Sequence, residues 1–219
     1  MDHNLRWRIS QLLARGGAGA LVLIVAACQH PTELRVPLEY RPTEMPHSGA
    51  NVSQQHTLAV VVNDARTDST TIGRNAESNP AIPVYAATSS PADFVRDAVG
   101  RGLNAAGVQV AAEPAQADRT LRIDLDRFWV EESATYNGTI SGPATLSDRG
   151  GHSLWRGTVS GSSKRWGASL SPGNYQEAFS NAAADLVQNL IGDPRFVNAL
   201  NAADVSPPAH KAAPRRKKK

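Results

Sequence analysis

Apolar Leu121, Ile123 and Leu125 alternate with polar Arg122, Asp124 and Asp126, a period of two that predicts a half-buried β-strand. The parity then slips by one, because Phe128 and Val130 continue the apolar series on even numbers; a bulge near Asp126-Arg127, or a strand end, is expected there. Tyr136, Ile140, Ala144 and Leu146 predict a further strand. Asp148-Arg149-Gly150-Gly151 reads as its turn and residues 153–162 as its return. The segments 138–142 and 157–161 are near copies, which fits two similar strands. Upstream, residues 57–63 form a β-branched apolar run closed by Asn63-Asp64, the signature of a strand that is central in a sheet or covered on both faces. Residues 108–111 predict a short strand.

Helical spacing appears twice. Ser90-Pro91, with Asp93 close behind, supplies an N-cap, a first-turn proline and a favourable charge. Phe94, Val95, Ala98, Val99, Gly102, Leu103 and Ala106 then share one face, and Gly107 stops the helix. Gly102 is expected where this helix approaches the sheet. The second stripe runs Tyr175, Ala178, Phe179, Ala182, Ala183, Leu186, Val187, Leu190 and Ile191, with Gln176, Glu177, Ser180, Asn181, Asp185 and Gln188 assigned to solvent. Residues 194–200 predict a short terminal helix. Strand, helix, several strands, helix is the order of an α+β two-layer sandwich, a mainly antiparallel sheet with two helices on one face.

The amino-terminal end has a different character. Arg6, Arg8 and Arg15 precede an apolar run over residues 18–27, in the charged-then-apolar-then-small order of a secretory signal. That run is about ten residues against the roughly 20 needed to span a bilayer. Val25-Ala26-Ala27-Cys28 is similar to the bacterial lipobox. The resemblance implies cleavage before Cys28, a covalent lipid on its thiol, and a membrane partner reached through that lipid. Gln29 stands where an aspartate would imply retention at the inner membrane, so the expected address is the periplasmic face of the outer membrane. The chain has one cysteine and so no internal disulfide, and export without one leaves its stability to packing. The expected organisation is a signal peptide over 1–27, a lipid-anchored Pro-rich tether over 28–55, the α+β domain over 56–200 and a disordered basic tail over 201–219.

Charge refines this picture. The net charge is +3, but Lys211, Arg215, Arg216, Lys217, Lys218 and Lys219 concentrate basic residues in the tail. They suit an anionic surface, with a solvated end as the plain alternative. The domain itself has no basic cluster of the kind nucleic acid requires. No H-E-x-x-H, cysteine pair or G-x-S-x-G occurs, so neither a catalytic residue, a metal site nor a cofactor other than the lipid is expected. Asp64 and Arg66, where the first strand ends, could meet a ligand or partner, or form an Asx-type turn with a local ion pair. Asp124 and Asp126 read as a solvated, ion-paired surface beside Arg122. Trp155 reads as core. Trp166, beside Lys164-Arg165 and Gly167, reads as a rim contact for a lipid headgroup or a protein.

Pro37-Leu38-Glu39-Tyr40-Arg41-Pro42, the run from Leu58 through Asp68, Ile72-Gly73, the helix ending Leu103-Asn104-Ala105-Ala106-Gly107 and the late amphipathic helix together resemble the YajG-like family of bacterial lipoproteins. The element order also looks like that of lipoproteins assisting lipopolysaccharide assembly and of auxiliary lipoproteins of envelope transporters. The basic tail and the polar stretch between Thr67 and Ser89 fall outside the YajG-like pattern and read as additions. The resemblance implies a non-catalytic accessory or assembly lipoprotein with an envelope protein partner. The alternatives are a lipid-transport auxiliary lipoprotein handling an amphiphile in a cleft between helices and sheet, and a structural tether using the tail.

Overall fold

The computed structural model describes residues 31–46 and 55–203. Cys28, the signal segment and the tail residues Lys211 to Lys219 lie outside them. The elements are β1 (Leu34–Val36), β2 (Leu58–Asp64), β3 (Thr71–Asn75), β4 (Ile82–Ala86), α1 (Pro91–Ala105), β5 (Arg119–Leu125), β6 (Arg127–Glu132), β7 (Tyr136–Asp148), β8 (Ser153–Arg165), α2 (Pro172–Gly192) and α3 (Pro194–Leu200). The eight strands form one sheet in the order β1-β4-β3-β6-β7-β5-β2, with β8 on the other side of β7. Antiparallel pairings join β3 to β4, β5 and β6 to β7, and β7 to β8; parallel pairings join β1 to β4, β2 to β5 and β3 to β6. The fold is α+β and open, as its sequence pattern predicts.

The parity slip is a bulge. Ile123 pairs with Ala144 and Arg127 with Ser141, so β5–β6 advances one residue further than β7 between the two pairs. That extra residue turns Leu121, Ile123 and Leu125, then Phe128 and Val130, toward the same core. The core side is closed by the helices. Ser90 caps α1 by accepting from the Asp93 N–H at 3.1 Å, and Gly107 takes a positive φ of 94° just past its end. Phe128 stacks on Phe179 at 4.2 Å between ring centroids, and Phe94 meets both edge-on. Helix α2 crosses the β7–β8 hairpin at two glycines. A Cβ at Gly161 would stand 2.1 Å from the Ala182 carbonyl oxygen, and one at Gly138 would stand 2.9 Å from that of Ala178. One glycine of each near-copy segment thus gives the helix backbone room, while Gly142 lies against the Asp124 carbonyl and Gly157 against the Trp155 ring.

Four expectations change. Residues 108–111 do not form a strand; they touch β2 through one parallel bridge, Leu58 to Val110. Gly102 faces α2 and not the sheet, with Val187 side-chain carbons 3.0 Å from where its Cβ would be. The polar stretch between Thr67 and Ser89 contains β3 and β4, whose Ile72, Ile82 and Val84 are core residues.

The fourth concerns the expected tether over 28–55. Within it, residues 34–46 are part of the fold: β1 extends the sheet, and Val36, Leu38 and Tyr40 are buried. The side of α2 assigned to solvent holds this segment by its backbone. Ser180 accepts from the Arg41 N–H at 3.0 Å and donates to the Glu39 carbonyl at 3.2 Å, and Asn181 accepts from the Thr43 N–H at 2.8 Å. Ser180 is accordingly buried.

Candidate functional site

Asp64 and Arg66 come together as a closed clasp. The Arg66 guanidinium bonds both oxygens of Asp64, Nε to Oδ1 at 2.9 Å and Nη2 to Oδ2 at 2.8 Å. Its other N–H groups go to the carbonyls of Thr71 at 2.8 Å, Ser69 at 3.0 Å and Phe128 at 3.4 Å. All five guanidinium donors are therefore used within the chain, and the Arg66 side chain is 5% exposed. Burial opposes the Asp64 charge, and the Arg66 contacts outweigh it to hold the carboxyl below its usual value. The pair ties the 65–70 loop to β3 and β6. Asp68 anchors the same loop, accepting from the Thr70 N–H at 2.9 Å and from the hydroxyls of Thr70 and Thr71.

Asp124 and Asp126 behave as the surface their pattern suggests. Asp124 accepts from Asn63 at 2.7 Å and from Arg122 at 3.2 Å, while Asp126 accepts from the Ser141 hydroxyl at 2.8 Å. Trp155 packs edge-on against Phe196 and its indole N–H reaches Asp193 at 3.3 Å. No cluster of three His, Cys, Asp or Glu side chains suited to a metal occurs among the described residues. None of their helices is long and apolar enough to cross a membrane.

Trp166 is the outlier. It is 71% exposed, on the loop that leaves β8 and enters α2. The loop beneath it is held at successive residues. The Ala168 carbonyl accepts from the Tyr136 hydroxyl and from Asn174 Nδ2 at 2.9 Å. Ser169 Oγ donates to Glu132 Oε1 at 2.5 Å, and the Leu170 N–H donates to the same oxygen at 2.9 Å. Tyr175 donates to Glu132 Oε2 at 2.8 Å, and Asn75 Nδ2 donates to Ser169 Oγ at 3.1 Å. Leu170 adopts a φ of 54°, a left-handed conformation that a leucine takes only when its surroundings impose it. Ahead of Trp166, Arg165 is ion-paired to Glu177 of α2.

Glu132 is the centre of this arrangement and is 1% exposed. Burial works against its charge, but the hydrogen bonds from Ser169, Asn75, the Leu170 N–H and Tyr175 outweigh it, and the pKa is lowered. The phenol of Tyr175 is pushed up by burial and by the adjacent Glu132. Sequence reasoning passed over Glu132, although a signal was present: it lies on the inward parity of Phe128 and Val130, and a carboxylate at a core position needs buried donors. Nothing in the sequence indicated that Asn75, Ser169 and Tyr175 would supply and order them, because they come from three separate elements.

The space between helices and sheet is filled. Phe94, Val99, Phe179 and Leu186, the residues that would line an amphiphile cleft, are each no more than 2% exposed. Grooves do occur on the surface. One of about 500 Å³ runs between residues 38–41 and α1, with charged Glu39, Arg41, Asp93, Arg96, Asp97 and Arg101 among its lining. Tyr40 is buried beside it, and burial raises its phenol to about 12.

Known proteins resemble this chain in fold. A protein of Xanthomonas campestris matches with a TM-score of 0.53 at 18% identity, covering 75% of this chain and 96% of its own. A Caulobacter crescentus protein provisionally described as a lipoprotein matches with a TM-score of 0.41 at 16% identity, covering 52% of this chain and 86% of its own. No functionally curated protein matches. Residues 43–201 match the family described as uncharacterized lipoprotein, and since this span takes in every described element from β2 to α3, the chain belongs to that lipoprotein family.

Proposed function

We propose that this protein is a non-catalytic accessory or assembly lipoprotein of the cell envelope, anchored by lipid on Cys28 at the periplasmic face of the outer membrane and acting by binding a protein. The YajG-like affiliation belongs to this reading. The observation that carries it is the filled interlayer space: Phe94, Phe128 and Phe179 occupy the volume a carried amphiphile would need, which moves the function to the surface. The sheet face opposite the helices carries Thr139 of β7 and its pairing partner Trp129 of β6, both partly exposed. The lipoprotein family supports the anchor, as does the charged, apolar and small order ending at Cys28.

Site-specific photo-crosslinking in intact cells tests the reading, with the reactive residue placed at Thr139 on the sheet face and at Glu44 on the helix side. A discrete adduct with another envelope protein from one position, lost on Cys28→Ser, is the expected result. Absence of any protein adduct from both positions would reject protein binding through these faces. Cys28→Ser should also yield a precursor without lipid, and an unchanged mature mass would reject the anchor.

A further inference from the structure

We infer that Trp166 is a second membrane contact, seated in the headgroup region of the same bilayer that holds the lipid of Cys28. This rests on the anchoring read above. Its independent support is the geometry of one end of the sheet. Strand β8 ends at Arg165, paired with Tyr136 at the start of β7, and Glu132 closes β6 beside that start. Asn75 ends β3 next to Glu132, and Ile82 begins β4 opposite Asn75. Since Leu34 pairs with Val84 in parallel, residues 31–33 enter the sheet alongside Ile82. The entry of the chain and Trp166 therefore lie at one end of the sheet. They are separated by the five strand-to-strand steps from β1 to β8, about 25 Å at the usual spacing.

Chain length makes this end the one nearest the membrane. Cys28 precedes Leu34 by six residues, which span at most about 20 Å when fully extended. Because β1 and residues 37–46 pack into the domain, no long flexible tether follows that would let the domain turn away. The rim at this end suits a bilayer surface: Ala76, Pro80, Ala81, Ala134 and Ala168 are exposed along it, on the connections between β3 and β4, β6 and β7, and β8 and α2. Its charges are few. Glu33 is bridged to Arg35, Arg74 to Glu131 and Arg165 to Glu177, which leaves Lys164 near Trp166 and Glu77 on the β3–β4 loop. An indole with an apolar body and a polar N–H is the side chain that partitions to the headgroup level. Lys164 adds attraction to lipid phosphates. The hydrogen bond that the Leu170 N–H donates to Glu132, and those that Tyr136 and Asn174 donate to the Ala168 carbonyl, hold the loop in place before it meets the lipid, so little ordering remains to be done on contact. The anchor raises the local concentration of lipid around Trp166, and a contact too weak to recruit the protein alone then suffices to orient it.

The test uses full-length protein expressed with its own leader and extracted from envelopes. Its mass first reports cleavage before Cys28 and the attached lipid. It is then reconstituted into phosphatidylcholine–phosphatidylglycerol vesicles whose acyl chains carry bromine near the headgroup, a short-range quencher of indole emission. Of Trp129, Trp155 and Trp166, only the last should be quenched, and Trp166→Phe should remove the quenching while leaving the fold intact. Emission unchanged by brominated lipid in the wild type, or equal quenching in Trp166→Phe, overturns the proposal. So does a photo-crosslinker at position 166 that couples to a protein and not to lipid. If the mass shows no lipid, the anchoring reading fails separately. The same quenching is then measured on Trp7→Phe protein coupled through Cys28, the only cysteine, to a maleimide lipid.

Discussion

Replacing Glu132 by glutamine keeps the shape of the side chain and removes its charge, which isolates the electrostatic part of the loop anchor. In the native arrangement Oε1 accepts from Ser169 and the Leu170 N–H, and Oε2 accepts from Tyr175. A glutamine can keep its oxygen toward Ser169 and Leu170, but its amide then points donors at the Tyr175 hydroxyl, which must turn to accept and leaves its own proton without this carboxylate. Hydrogen bonds to a charged group contribute about 1.5–3 kcal/mol and neutral ones about 0.5–1.5 kcal/mol. Turning three bonds to a charged group into neutral ones, each about 1 kcal/mol weaker, therefore costs about 3 kcal/mol. For a domain of this size that corresponds to a fall in melting temperature of roughly 6–12 °C. The sign of the pH dependence follows from the lowered pKa of Glu132. A depressed folded-state value means the contribution is present above the unfolded glutamate value of about 4.3 and is lost as pH falls through the folded value. Glutamine does not titrate, so the gap between wild type and variant should be widest near neutral pH and close in acid. Thermal melts followed by circular dichroism across that range provide the measurement. A gap below about 2 °C at neutral pH, or one of constant size into acid, would refute the account of Glu132 as a charged anchor.

Gly161→Ala would put a methyl group 2.1 Å from the Ala182 carbonyl oxygen and 2.3 Å from the Leu186 nitrogen. Urea titration should show a loss of about 3 kcal/mol or more from this overpacking. Arg66→Lys keeps the charge but offers three donors for five acceptor contacts, so hydrogen exchange at residues 65–70 should rise sharply while exchange in α2 stays unchanged. Leu186→Ala, at a fully buried position on α2, should cost roughly 2–5 kcal/mol; a melting temperature within a degree of wild type would mean that α2 is not packed on the sheet.

What the sequence made legible was periodicity. Period two over 121–125, its slip at Asp126, and the helical stripes from Phe94 and Tyr175 each map onto an element with the inward residues where the pattern put them. The errors arose where two signals conflicted. Leu34, Val36, Leu38 and Tyr40 alternate like a strand, but Pro31, Pro37, Pro42 and Pro46 made the segment look like a tether. Proline ends a ladder without preventing burial, and Pro37 follows the last residue of β1 at the sheet edge. Ser180 and Asn181 occupy the polar side of α2, and polarity alone cannot distinguish a residue facing water from one that binds the backbone of a distant segment. The Glu132 anchor was hidden for a related reason. Its donors are 37 and 43 residues away at Ser169 and Tyr175, so only the tertiary structure brings them together.

The same long-range contacts explain why α2 organises the whole molecule. Its apolar stripe closes the core, its backbone lies against Gly138 and Gly161, and its polar strip holds residues 39–43. The N-terminal segment over residues 39–43 therefore depends on α2 for its seat, and the Trp166 loop enters that helix directly. Orientation at a membrane requires two points fixed in one rigid body, because a single flexible attachment leaves the domain free to rotate. Here residues 34–46 and the Trp166 loop are both fixed to α2, one by Ser180 and Asn181 and the other by Asn174 and Tyr175. On the proposed anchoring, the lipid would do more than retain the protein: it would present the polar sheet face and the charged α1 surface at a set angle to whatever lies alongside.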